Sequence, residues 1–255
     1  MVSSRLPRLP RLPSLSRLHE VALDLAALVW PTACVACGAD DRDCCTDCRA
    51  RLRELPEMPT RELDGVACLV RGAYAGPLRA VLVAFKHDGR VGFCRLLADE
   101  LRAPLLQAIR LASTHAHGPS SAPIVVPMPS RPRGERKRGY RHLDQLIAAA
   151  LRVPRAPALR VRALRTTSGR VGQVGLRASE RERNARRIAV RSSVRRLLRG
   201  RSVVLVDDII TTGASMRAGR EALEQAGANV VAMVALCIAE RRDATEDPAK
   251  SRMKF

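Results

Sequence analysis

Residues 203–215 read VVLVDDIITTGAS. Four apolar residues run into two adjacent carboxylates, Asp207 and Asp208. Two more apolar residues follow, then a Thr-Thr-Gly-Ala-Ser turn and a segment with helical character. A short β-branched run bounded by a glycine turn predicts a buried strand over 202–208. The helix expected next, 214–227, stops at Gly227. NVVAMVALCIA (229–239) predicts a second buried strand. Strand, helix and strand in that order form the unit of a parallel sheet covered on both faces. The acid pair then lies at the carboxyl end of a central strand, the edge where open α/β sheets bind ligands.

Upstream segments extend this α/β pattern. Strands are expected at 66–74, 123–129 and 158–164, and helices at 77–89, 91–109 and 143–152. SRPRGERKRGYRH (130–142) reads as a basic loop, and residues 166–187 as a polar, glycine-bearing mobile segment. Residues 65–240 form the main domain. Before it, 15–64 carry a helix, a cysteine module and a proline-punctuated linker over 49–64. Leu18, Val21, Ala22, Leu25, Leu28 and Val29 mark one face of that first helix, which Pro31 ends. RLPRLPRLP (5–13) favours an extended chain, so 1–14 reads as a disordered basic arm, with an anion-binding arm as the sharper alternative. The tail from 241 to 255 reads as frayed.

The chain has 255 residues, 46% hydrophobic but only 2% aromatic, so aliphatic side chains must fill the core. The net charge is +20, carried almost wholly by arginine. That excess fits an anionic partner, or GC-rich coding bias. No stretch reads as a transmembrane span. His19, Glu20 and Asp24 interrupt the best apolar run, which argues against a signal peptide and for the cytoplasm.

Five of the eight cysteines fall within residues 34–48. Cys34-x2-Cys37 and Cys45-x2-Cys48 are two chelating pairs, suited to a closed tetrahedral S4 site and a structural Zn²⁺. Cys44, beside Cys45, is an alternative ligand, and an iron–sulfur cluster a minor alternative metal group.

The turn at Thr211, Thr212, Gly213, Ala214 and Ser215 offers free backbone N–H groups at a helix start, a cradle for phosphate. It lacks the Gly-Lys-Ser/Thr element of nucleotide triphosphatases. Asp207 and Asp208 would repel that phosphate, but suit a ribose diol or a coordinated Mg²⁺. Phosphate, ribose diol and Mg²⁺ together point to 5-phosphoribosyl 1-pyrophosphate (PRPP).

The same stretch resembles the PRPP motif of type I phosphoribosyltransferases. The order of a CxxCG module, Tyr74-x-Gly-Pro-Leu-Arg, FKHDG, VVPMPSR, RKRGY and Gln173…Glu180-Arg181-x-x-Asn184 is similar to the ComF family, phosphoribosyltransferase-like proteins linked to DNA uptake in competent bacteria. The resemblance implies that Asp207 and Asp208 hold the ribose hydroxyls and Thr211 to Ser215 the 5-phosphate. It makes Pro127, Met128, Pro129, Ser130 and Arg131 a pyrophosphate loop with a strained peptide, with Lys86 and Arg131 as diphosphate cations. It makes 165–184, with Gln173, Arg181 and Asn184, a segment that closes over the site. Where family members read RGFNQ, this chain reads Arg138-Gly139-Tyr140-Arg141-His142, and Thr211 stands where purine transferases carry an acid. Two alternatives therefore stand beside a transferase: a single-stranded DNA-associated protein that uses the basic run with Tyr140 as a stacking residue, and a sensor that binds PRPP or a nucleotide without turnover.

Overall fold

A computed structural model describes residues 32–40, 42–115, 122–130, 132–152, 157–167 and 188–239. The expected arm, the helix over 15–30, Arg131, the Gln173–Asn184 segment and the tail lie outside the described residues.

Helix α1 spans Thr46–Arg53. Strands β1 (Arg61–Leu63) and β2 (Val66–Ala73) form a hairpin turning at Asp64 and Gly65. Helices α2 (Gly76–His87) and α3 (Phe93–Thr114) follow, then β3 (Ile124–Pro127), α4 (Pro132–Arg138) and α5 (His142–Ala150). Next come β4 (Leu159–Arg160), β5 (Leu164–Thr166), β6 (Ile188–Val190), a 3-10 turn (Ser192–Val194) and α6 (Arg195–Leu198). The chain closes on β7 (Ser202–Ile210), α7 (Ala214–Gln225) and β8 (Asn229–Ile238).

The main sheet runs β1-β2-β8-β7-β3-β4. Every pairing in it is parallel except β1 with β2, and β5 with β6 forms a separate antiparallel ribbon. β7 and β8 are central because they are apolar on both faces: Val203 to Val206 and Ala232 to Cys237 are fully buried. On α3, Leu97, Leu101, Leu105, Ala108 and Ala112 are buried at helical spacing, forming the stripe that covers the sheet. Pro77 in the first turn of α2 loses no helical hydrogen bond.

Three local expectations change. The linker over 49–64 contains the last turns of α1 and all of β1. The basic loop at 130–142 contains α4. The single strand expected over 158–164 is two pieces, because β4 pairs with β3 at the edge of the main sheet while β5 pairs with β6, a partner more than twenty residues away.

Candidate functional site

β7 delivers the acid pair. Up to Val206 the strand is core, and its pairing with β8 continues through Asp207 to Ile210. The two carboxyls are close enough to interact, but their direct partners differ. Asp208 is buried. Lys86 Nζ, from the last turn of α2, lies 2.6 Å from Asp208 Oδ2, and His142 Nε2, from the first turn of α5, lies 2.6 Å from the same oxygen. Asp207 is half-buried, and its Oδ1 accepts the backbone N–H of Asp208 at 2.8 Å.

The proton on His142 can be assigned from its other neighbour. Arg138 Nη2 lies 3.3 Å from His142 Nδ1, and a guanidinium has no acceptor. Nδ1 therefore accepts, and Nε2 carries the proton toward Asp208. Arg138 Nη1 also donates to the carbonyl of Lys86 at 3.2 Å, and the Tyr140 hydroxyl donates to the carbonyl of Phe85. These carbonyls belong to the last turn of α2, which has no helical donors for them. The Tyr140 ring packs on Phe85 with centroids 5.6 Å apart. The RKRGY segment thus closes the end of α2, and Lys86, expected among diphosphate cations, rests on Asp208.

The network separates the two acids. Burial favours a neutral Asp208, but Lys86 and His142 outweigh it and hold the carboxyl well below the usual carboxylate range. Burial and the neighbouring Asp208 charge push Asp207 up to about 7. Burial lowers Lys86, but Asp208 outweighs that and holds the amine above its ordinary value.

Beyond β7 the chain turns at Gly213, whose φ of 74° is in the left-handed region. A side chain there would meet Leu63 Cδ1 at 2.9 Å. The Thr212 hydroxyl accepts the N–H of Ala214 at 3.4 Å. Arg217 donates to the Thr212 carbonyl at 2.8 Å and pairs with Asp64 at 2.8 Å, fixing the turn to the β1–β2 hairpin. Beside it, Met128 N donates to Val206 O at 2.8 Å, which seats Pro127 to Ser130 against β7. Gly219 makes room for that loop, since a Cβ on it would lie 2.7 Å from Met128 Sδ. A cleft of about 300 Å³ opens next to this loop, bordered by Arg141, Arg162, Arg165 and Arg191.

In the cysteine module, the sulfurs of Cys34, Cys37, Cys45 and Cys48 all lie within 4.8 Å of one another. Cys37 and Cys45 Sγ are 3.6 Å apart. A tetrahedral zinc site with Zn–S near 2.3 Å has sulfur edges of about 3.8 Å, so the four thiols fit that ion. The pair ambiguity resolves on geometry: Cys45 joins the cluster and N-caps α1, accepting the N–H of Cys48 at 3.5 Å. Cys44 is buried beside the quartet but outside it, and burial, with the neighbouring Cys34, pushes its thiol up to about 11. Burial also raises Cys34, yet backbone N–H groups of Cys45, Ala36 and Cys37 outweigh it and bring the thiol down to about 6.

Of the residues expected from sequence, Asp207, Asp208, Lys86 and Thr211 to Ser215 gather at the carboxyl edge, with Pro127 at the end of the adjoining strand and Met128 to Ser130 in the loop after it. In the sequence His142 stands near the site segments as a possible acid or base or a satisfied polar histidine; in the structure His142, Leu146 and Ala150 share the buried face of α5 at i, i+4 spacing. That register signals a histidine turned inward. Arg138 gave no such signal.

With this geometry in place, the chain can be set beside known proteins. Residues 136–254 match the family model of the phosphoribosyl transferase domain. This C-terminal part of the chain is similar to that domain. No curated protein matches the sequence. Among solved structures, an allosteric regulatory enzyme of purine biosynthesis is 18% identical at a TM-score of 0.30, over 71% of this chain and 28% of its own. A glutamic acid mutant from an analysis of an invariant aspartic acid in HPRTs is 11% identical at a TM-score of 0.32, over 64% of this chain and 73% of its own. Likeness at this level carries no argument. Among the described residues, no helix is long and apolar enough to cross a membrane.

Proposed function

We propose that the chain binds PRPP at the carboxyl edge of β7 and acts as a phosphoribosyltransferase of the ComF type. One observation carries this reading: a buried strand ends in an acid pair and turns through a left-handed glycine into a helix start, all within the residues that match the phosphoribosyl transferase domain. In this reading the N–H groups of Gly213 to Ser215 and the Thr211 and Thr212 hydroxyls receive the 5-phosphate. The acid pair lies where the ribose hydroxyls sit. Pro127 to Ser130, with Arg131, border the diphosphate. An incoming nucleophile forms a bond to the anomeric carbon as the carbon–oxygen bond to diphosphate breaks, and diphosphate leaves with that electron pair. Asp207 is an oxygen donor suited to Mg²⁺, which would neutralise charge on the leaving diphosphate.

Zn²⁺ at Cys34, Cys37, Cys45 and Cys48 would be structural, since four thiolates leave no open position. Free thiols elsewhere fit a reducing compartment such as the cytoplasm. The net charge of +20 favours a second reading, contact with single-stranded DNA in a ComF-like role in DNA uptake. Thr211, which supplies no general base, favours a third, PRPP sensing without turnover.

Calorimetric titration of the zinc-loaded protein with PRPP, with and without Mg²⁺, tests the first reading. One-to-one, magnesium-dependent binding is expected. A folded protein that binds no PRPP sinks it, and salt-dependent affinity for single-stranded DNA then becomes the measurement to make.

A further inference from the structure

We infer that Arg79, positioned by Tyr74, binds the acceptor, and that the acceptor is a nitrogen heterocycle carrying a negative charge. The inference names the substrate class of the proposed site and rests on the PRPP reading.

Sheet order fixes where an acceptor can enter. The strands run β2-β8-β7-β3, with the acid pair on β7 and the loop of Pro127 to Ser130 at the end of β3. In this reading diphosphate leaves on the β3 side. A nucleophile attacks the anomeric carbon opposite the leaving group, so it arrives from the side of β8 and β2. The strand ends there are in step. Ala239 N–H donates to Ile210 O, and Tyr74 N–H donates to Ile238 O, both at 2.8 Å. Tyr74 thus stands level with the turn after β7, two strand spacings or about 10 Å away.

Helix α2 spans the same gap. Gly72 lets its start sit close on β2, since a Cβ there would lie 3.1 Å from Leu78 Cδ2. Its last turn places Lys86 on Asp208. Arg79 and Lys86 are seven residues apart, so they share one face of the helix at a separation of about 10 Å. That length matches the distance from Tyr74 to the acid pair. Half-buried Val83 lies between them on the same face.

The exposed Arg79 guanidinium lies over the half-buried Tyr74 ring, 5.5 Å from its centroid. A guanidinium stacked on a ring keeps its N–H edge free for a carboxylate. An aimed cation beside an apolar Val83 fits a ring with a negative charge. The chemistry asks for the same ligand. Thr211 supplies no general base, so the nucleophile needs a lone pair that is already available. A ring nitrogen of such an anion has one. That pair forms the bond to the anomeric carbon, the carbon–oxygen bond to diphosphate breaks, and diphosphate leaves with its electrons. No proton has to be removed.

Saturation-transfer NMR on the zinc-loaded chain with PRPP and Mg²⁺ tests this. The probes are two pairs that differ at one group: nicotinate against nicotinamide, and orotate against uracil. In at least one pair the carboxylate is expected to bind at least about tenfold tighter, the effect of one charge-assisted contact. Arg79→Met is expected to erase that preference and to keep PRPP binding in calorimetry. Tyr74→Leu is expected to weaken the preference and Tyr74→Phe, which keeps the ring, to restore it; a purely structural Tyr74 would not change the ratio within a pair. Equal affinities within both pairs, a preference that survives Arg79→Met, or no probe bound while PRPP binds overturns the inference and leaves the PRPP reading standing. If the native chain binds no PRPP, the proposed function fails and the inference falls with it.

Discussion

The cysteine module and the centre of the sheet solve the same problem in opposite ways. Around β7 and β8 the chain buries continuous aliphatic runs, so the hydrophobic effect organises the carboxyl edge. Residues 34–53 have little to bury: Cys34, Cys44, Cys48 and Leu52 are their only fully buried apolar side chains among the described residues. What the module has instead is four thiols close enough to share one ion. Where burial is scarce, ligand bonds must supply the folding free energy.

Metal removal breaks this comparison most sharply. Chelation is expected to abolish amide protection over residues 34–52, while β7 and β8 keep theirs in hydrogen exchange. Cys45→Ser is expected to reproduce the loss, and Cys44→Ser to retain one zinc per chain by elemental analysis. Equal loss from both serine variants would show that Cys44 shares the ligand role.

The two regions meet at Arg71 on β2. Its guanidinium pairs with the buried Glu100 of α3 at 2.8 Å, and donates to the carbonyls of Leu52 and Leu55 at 3.0 Å. Leu52 lies in the last turn of α1 and Leu55 just past its end, so one side chain closes the module's helix and joins it to the sheet. Removing one partner of a buried pair costs about 3–5 kcal/mol. Arg71→Met is therefore expected to lower unfolding stability by that order, and Arg71→Met with Glu100→Leu to recover much of it. Simple additivity in the double variant would mean that the pair carries no coupling.

A smaller effect is expected where the sheet hands over to the ligand. Gly213→Ala puts a Cβ at a left-handed φ, at a cost of about 1–2 kcal/mol, and against Leu63 as well. Leu63→Ala in the same chain is expected to return the steric part and leave the backbone part. Urea unfolding of the single and double variants separates the two.

The legibility of the chain follows the same division. β7, α7 and β8 were readable because continuous apolar runs and a glycine turn are local signals. The cysteine quartet was readable because two CxxC pairs are local too. β1, β6 and the break between β4 and β5 were not, since each is three residues or fewer and owes its state to partners elsewhere. The tie of Asp208 to Lys86 and His142 was beyond sequence for a related reason: 122 and 66 positions separate the partners. Adjacent aspartates look alike in a sequence, and only side chains brought in from distant elements put one of them under two cations.

That asymmetry has a consequence for stability. An acid whose folded pKa is raised to about 7, against about 3.9 when unfolded, binds its proton more tightly in the native state. Its contribution to stability is complete below pH 4 and lost as the pH rises through 7. Above neutrality the native chain carries a carboxylate it would hold more easily unfolded. Asp207→Asn removes that penalty. The variant is therefore expected to match the native chain near pH 4, to gain on it between pH 4 and 7, and to keep a constant advantage by pH 8, read as urea midpoints at the three pH values. Asp208 is the opposite case: its depressed pKa contributes stability above about pH 4 that fades as the pH falls further, so Asp208→Asn is expected to lose most at neutrality and least in acid. Curves of opposite sign for two neighbouring residues would follow from Lys86 and His142 both resting on Asp208, and curves of the same sign would mean that the two carboxylates share that stabilisation.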